Sequence, residues 1–335
     1  MTVNGKRWAA LGIAAALFVF SIVISFTTSF VNSEAKISDS WFNGTFSEEI
    51  IEEGMPTEKI VVLEVNGVIQ DTGEDVTSFF ESVGYQHQKF LQMIEEAGED
   101  DTVKGIILRV NSPGGGVVES AEIHKKLTEL KEKYDKPIYV SMGTVAASGG
   151  YYISTPATKI FAAPDTLTGS LGVIIQGINY SELAEKYGVK FETIKSGPYK
   201  DIMSPTREIS EEEREILQSM VDNAYEGFVD VIANGRNMSE AEVREIADGR
   251  IYDGRQAKEL NLVDDLAYFD DVIHLMKKDL NIKNAQVIKY KSDVGFESLF
   301  QMSVSKLFTE DIETTLLYKF ISQPNSPRLM YLYAK

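Results

Sequence analysis

Cysteine is absent from the 335-residue chain, and histidine occurs only three times. The first absence excludes a thiol nucleophile, a disulfide framework, a cysteine zinc site and an acylated N-terminal cysteine. The scarcity of the second leaves little room for a histidine-rich metal centre. Basic residues are also few, with 33 Lys and Arg against 51 Asp and Glu, a net charge of −18. That balance argues against broad nucleic-acid binding, which needs cationic surface to neutralise phosphates. Lack of cysteine permits an oxidising exterior without requiring one. What is present, 43% hydrophobic and 25% charged residues, is the composition of a globular protein with material for a sizeable core.

Charge is missing from one stretch altogether. Lys6 and Arg7 precede a run from Trp8 to Asn32 with no ionisable side chain, apolar at its centre from Leu11 to Phe26. About 20 residues at ~1.5 Å rise cross the hydrocarbon layer of a membrane. A cleaved signal peptide has a shorter apolar region, about 7–15 residues, and a small-residue cleavage site. Here the bulky Phe26 and Phe30 stand where small residues belong, so the expectation is an uncleaved anchor over residues 8–31. The basic residues precede it and acids follow, which puts residues 1–7 in the cytoplasm and the remainder outside a single-pass cell membrane.

Residues 32–57 are acidic, carry Gly and Pro, lack periodicity and read as a flexible tether. The 278 residues left after the first 57 suit one large domain with a tail, here taken as 58–292 and 293–335. The domain alternates short apolar strands with helices: Ile60–Ile69, a helix carrying Phe90, Leu91 and Ile94, strand Gly105–Val110, helix Val117–Tyr134, strand Pro137–Met142, a helix around Tyr151, strand Lys159–Ala163, and a strand Val189–Ser196. This pattern predicts an α/β fold with a parallel sheet. Ser210 with Glu213, and Ser239 with Glu242, have capping-box spacing and open two further helices. The chain ends on the apolar run Leu329 to Tyr333.

Three glycine-rich turns flank the predicted strands. Asn111-Ser112-Pro113-Gly114-Gly115-Gly116 follows one strand and precedes a helix, where bare backbone N–H groups point outward. A phosphate cradle, a backbone oxyanion hole and a plain tight turn all fit, although neither dinucleotide-binding nor P-loop spacing is present. In Ala146-Ala147-Ser148-Gly149-Gly150-Tyr151-Tyr152, small residues surround one serine just after a strand. This suits a strained turn presenting a nucleophile, or a close helix-packing seam. Thr168-Gly169-Ser170-Leu171-Gly172-Val173 lines a pocket or turns into a strand.

A nucleophilic Ser148 needs a base. His87 lies in a polar stretch, His124 in a charged helix and His274 among packing residues, none of them in a glycine-rich loop. Lysine is the alternative, but a free lysine titrates near ~10.4 and must be desolvated to accept a proton. Lys200 stands out, in Ser196-Gly197-Pro198-Tyr199-Lys200-Asp201, where proline, glycine and an aromatic residue constrain the backbone. An ordinary surface loop fits it as well, and the adjacent Asp201 would raise its pKa if the carboxylate faced the amine.

These four segments, in this order, resemble the signal peptide peptidase A family, serine proteases of the S49 type, in its shorter Gram-positive form. The resemblance covers roughly Ile60 to Tyr290 and the anchor. It implies a fold of the Clp protease and crotonase kind with additional helices, preceded by one transmembrane helix. It also implies a Ser/Lys pair, with Ser148 as nucleophile and Lys200 as general base. Gly114 matches the oxyanion-hole donor and Ser170 the residue that orients the lysine amine, and Gly149 is placed beside the oxyanion. The implied substrates are released signal peptides and other extended apolar peptides, cleaved without cofactor or ATP. The implied assembly is a ring-like homo-oligomer, octameric in the short form, with each dyad completed between neighbours. Two rival readings are an acyl-CoA enzyme of the crotonase type, which needs no Ser148–Lys200 pair, and a non-catalytic membrane scaffold, against which an intact pair counts.

Overall fold

The computed structural model describes residues 46–71, 85–291 and 329–333. The chain divides after Ser47, and the unit from Glu48 onward carries the architecture that follows. The apolar run 8–31 lies outside the described residues. Among the described residues no helix is long and apolar enough to cross a membrane.

The strands are β1 (Ser47–Glu52), β2 (Met55–Asn66), β3 (Val103–Ser112), β4 (Gly114–Gly116), β5 (Ile138–Ala147), β6 (Lys159–Ala162), β7 (Leu167–Gly169), β8 (Ile251–Tyr252), β9 (Asp265–Leu266), β10 (Ala285–Lys291) and β11 (Met330–Leu332). The helices are α1 (His87–Glu99), α2 (Val117–Tyr134), α3 (Gly149–Tyr152), α4 (Ser181–Lys186), α5 (Glu211–Arg236), α6 (Glu240–Ile246), α7 (Gly254–Glu259) and α8 (Phe269–Asp279).

The result is a mixed α/β fold built on a mostly parallel sheet, ordered β1-β10-β2-β3-β5-β6-β9. Strand β2 pairs in parallel with both β3 and β10, and β5 in parallel with β3, β6 and β7. Central parallel strands are covered on both faces and so read as unbroken apolar runs. Accordingly Ile60 to Leu63 and Ile106 to Leu108 are all buried. Each such side chain contributes about 1.5–3 kcal/mol on removal from water. One face packs against α8 through Val272, Ile273 and Met276. The carboxyl ends of β3 and β5 run directly into the two glycine-rich turns, which therefore meet at one edge of the sheet.

Both predicted capping boxes are present: the Ser210 and Ser239 hydroxyls accept from the amides of Glu213 and Glu242. Three expectations differ. The ordered sheet starts inside the expected tether, because Ser47–Glu52 finds the open edge of β10. The expected strand Val189–Ser196 has no ladder: the segment pairs with no strand among the described residues, with Ile194 fully exposed, and a strand needs a neighbour to satisfy its amides. His87, expected in a polar stretch before the first helix, is instead the buried first residue of α1, with Tyr85 Oη 2.7 Å from Nδ1 and Glu122 Oε2 2.6 Å from Nε2.

Candidate active site

Ser148 sits between β5 and α3 with φ 53° and ψ −117°. A non-glycine residue there is strained, at a cost of about 1–3 kcal/mol that the surroundings must offset. They do so by enclosure. Ala146 and Ala147 are fully buried, Ser148 is 1% exposed, and its amide donates to the Gly169 carbonyl at 2.8 Å. Gly169 can take that place because its own φ is +82°. The next residue, Ser170, is partly exposed at φ 50°, and its amide is held by the Arg250 carbonyl at 2.7 Å. The nucleophile candidate and the third glycine turn are thus adjacent.

The first glycine turn lies across from them. A Cβ on Gly149 would stand 3.1 Å from the Gly114 Cα, and a Cβ on Gly114 would stand 2.6 Å from the Gly149 amide nitrogen. Gly114 has φ +102°. Its amide donates to Ser112 Oγ at 3.0 Å in this state. Ser148, Gly114, Gly149 and Ser170 are therefore brought together around one spot.

That spot is covered by the chain's own end. Strand β11 pairs antiparallel with β4, Tyr331 opposite Gly115 and Leu332 opposite Gly114. On its other side Met330 exchanges two backbone hydrogen bonds of 3.1 Å with Ile174. The tail segment is thus an extended peptide held by main-chain bonds on both edges. A Gly114 Cβ would lie 1.9 Å from the Tyr331 carbonyl oxygen, so glycine is required there for the peptide to approach. The Tyr331 ring is 2% exposed, stacked on Tyr152 at 4.9 Å and tilted against Phe228 at 4.6 Å, with its hydroxyl donating to the Ala224 carbonyl.

This aromatic pocket was not assigned from the sequence. Its signal was the face of α5 carrying Met220, Ala224 and Phe228, which reads as ordinary core until a strand is laid along it. His124 packs edge-on against Tyr152 at 5.3 Å, and burial pushes its imidazole down to about 4. Among the described residues no hydrogen bond joins a histidine to Ser148.

Lys200 is placed differently. It lies in a turn between Gly197 and Ser204, with its side chain exposed. Among the described residues no hydrogen bond or ion pair joins it to Ser148, Gly114, Gly149 or Ser170. The adjacent acid has other partners: Asp201 is bound by Arg207 at 2.7 Å and Lys195 at 2.6 Å. Arg207 first, then Lys195, holds that carboxyl well below the usual carboxylate range. Arg207 also reaches Glu213, the capping-box acid of α5, so the backbone beside Lys200 is tied to a helix start. Among the described residues no group of three or more His, Asp or Glu side chains forms a metal site.

A buried serine on a strained strand-to-helix turn, with an extended segment laid along the glycine strand beside it, is an arrangement suited to peptide hydrolysis. Comparison with known proteins gives the same class, a serine peptidase. The model of peptidase family S49 matches residues 130–283. A relative in Enterococcus faecium that carries the provisional name signal peptide peptidase SppA is 45% identical over 98% of this chain and 99% of its own length. A protein of Synechocystis named provisionally as a protease is 48% identical over 52% of this chain and 62% of its own length. Protease 4 of Salmonella typhi is 34% identical over 80% of this chain but only 43% of that longer protein. The chain belongs to peptidase family S49.

Proposed function

We propose that the protein is a membrane-anchored endopeptidase that degrades released signal peptides and other extended apolar peptides through an acyl-enzyme on Ser148. The supporting observation is the tail strand: an extended apolar segment pairs with β4, its Tyr331 carbonyl oxygen beside the Gly114 Cα. A substrate strand bound in the same way gains main-chain hydrogen bonds whatever its sequence, and apolar pockets then select alternate side chains. The name of the Enterococcus relative points to the same substrates, and the uncharged run over residues 8–31 supplies the anchor.

In this reading neutral Lys200 takes the proton of Ser148 Oγ as the oxygen attacks the peptide carbonyl. The Gly149 amide, heading α3, and the Gly114 amide, turning from Ser112, hold the oxyanion. Lys200 returns its proton to the leaving amine, and a water then hydrolyses the ester. Ser170, one residue beyond the carbonyl that binds the Ser148 amide, orients the lysine amine.

Lys200 completes the site of a neighbouring copy in a homo-oligomer, an octameric ring. The support is the exposed apolar surface leading up to it, where Ile178, Leu183, Tyr187 and Ile194 are all more than half exposed. Surface of that kind marks an interface. A fluorophosphonate probe followed by peptide mapping tests the assignment: modification of Ser148, lost in Lys200→Ala, is the expected result, and modification elsewhere overturns it.

A further inference from the structure

The groove does not end where the tail strand ends. Leu329, the first described residue of that segment, lines a cavity of about 530 Å³ together with Leu217 and Met220 of α5 and three carboxylate residues, Asp71, Glu119 and Glu122. The Leu329 carbonyl accepts from the Val117 amide at 3.4 Å, which fixes this end of the strand over the first turn of α2. Glu119 and Glu122 stand three residues apart on that helix, and so share a face. Asp71 joins them from the other side, its amide donating to Glu119 at 3.2 Å. The wall along α5 is apolar, and the wall formed by Asp71 and α2 is anionic.

Each acid has a structural partner as well. Gln88 donates to Asp71, and His87 lies against Glu122. Those contacts explain why each carboxylate is tolerated. They do not explain why three converge on the cavity beside Leu329. In the sequence the residue before Leu329 is a cation, Arg328.

We propose that this upstream end of the groove is a subsite for a lysine or arginine side chain, so that favoured peptides carry a basic residue within two positions before the apolar stretch that pairs with β4. The proposal rests on the peptide-hydrolysis reading for its consequence and on the seated strand for its register. A cation placed there is attracted by three negative groups at the rim of the site, an effect that ions screen.

The test uses the full chain in detergent and synthetic peptides Ser-Pro-X-Leu-Met-Tyr-Leu-Tyr, with X arginine, alanine or glutamate. Competing peptides in one tube give ratios of kcat/KM that the protein's own tail, competing equally with all, does not distort. Arginine is expected to exceed alanine by about fivefold and glutamate by more, with the ratio shrinking as salt is raised past ~0.5 M. Asp71→Lys, at an exposed position, is expected to reverse the arginine–glutamate order, and Glu119→Gln to shrink it.

Binding of the same labelled peptides to Ser148→Ala gives a readout independent of chemistry, with the same order of affinities expected. Preferential arginine binding without cleavage by the wild type would overturn the hydrolysis reading and support the subsite. Equal binding of the three peptides, with cleavage intact, would overturn the subsite alone.

Discussion

The two halves of the proposed catalytic pair sit in opposite surroundings. Ser148 is enclosed between fully buried alanines, its backbone bent into a left-handed conformation and its amide bound by a neighbouring turn. Lys200 stands on an unpaired, exposed segment, its backbone fastened through Asp201 and Arg207 while its side chain meets solvent. In the proposed reading the nucleophile is prepared inside one protomer, and the base is carried on a surface rich in exposed apolar side chains, which a second copy would cover. A lysine can act as a base only where its charge is disfavoured, so in this reading assembly activates the enzyme as well as shaping it.

The most decisive way to break that comparison is complementation. Ser148→Ala and Lys200→Ala are each expected to lower peptide cleavage by roughly a thousandfold or more. If the pair forms between copies, mixing the two inactive variants before assembly restores about a quarter of the wild-type rate, since random mixing leaves that share of sites with both residues. No restoration in co-assembled rings would place both residues in one protomer and sink the intersubunit reading.

Gly114→Ala addresses the enclosed half. The added Cβ would lie 1.9 Å from the Tyr331 carbonyl oxygen, at a φ of +102° that side chains rarely adopt. We expect peptide cleavage to fall about a hundredfold, in the range seen when an oxyanion donor is lost. Circular dichroism should show the folded protein unchanged. Retained activity would mean that peptides do not lie along β4 as the tail does.

The enclosed half was also the more legible one. Its strands are short apolar runs, its turns are spelled by glycines, and its helices carry capping boxes, all of which are local signals. Ser148, Gly114, Gly149 and Ser170 come from three separate turns, yet alternating βα units in a parallel sheet bring such turns to one edge. The expectation failed for Val189–Ser196, where β-branched composition predicts a strand but no neighbouring strand of the described residues pairs with it. Long-range pairing was equally hidden at the tail. The apolar residues Leu329 to Tyr333 suit either the chain's own peptide groove or an oligomer interface, but nothing local says that they pair with Gly114–Gly116, more than 200 residues away. The burial of His87 was missed because its partner Glu122 lies 35 residues on.

Tail occupancy makes a third prediction, of intermediate size. Tyr331→Ala removes a buried ring stacked between Tyr152 and Phe228, a change that costs about 3 kcal/mol in a well-packed core. The tail should leave the groove more often, and cleavage of dilute added peptide should rise several-fold. The proposed reading also makes the tail a candidate for self-cleavage: intact-mass measurement should find wild type shortened near Tyr331 and Ser148→Ala full length. Identical masses would show that the tail is held without being hydrolysed.

The smallest effect concerns acid. His124 packs against Tyr152, which in turn stacks on Tyr331. Burial pushes this imidazole down to about 4, whereas an unfolded histidine titrates near ~6.5. Between those values the unfolded chain binds the extra proton, so stability is complete above about pH 6.5 and declines as pH falls towards 4. The ring is half-buried, so solvent screening reduces the linkage to about 1–2 kcal/mol. Thermal unfolding from pH 7 to 4.5 should therefore lose less for His124→Asn than for wild type. The tail should also leave the groove sooner in wild type as the pH is lowered, which ties the pocket's aromatic stack to the enclosed half rather than to the exposed one. Parallel losses in the two proteins would remove His124 from that account.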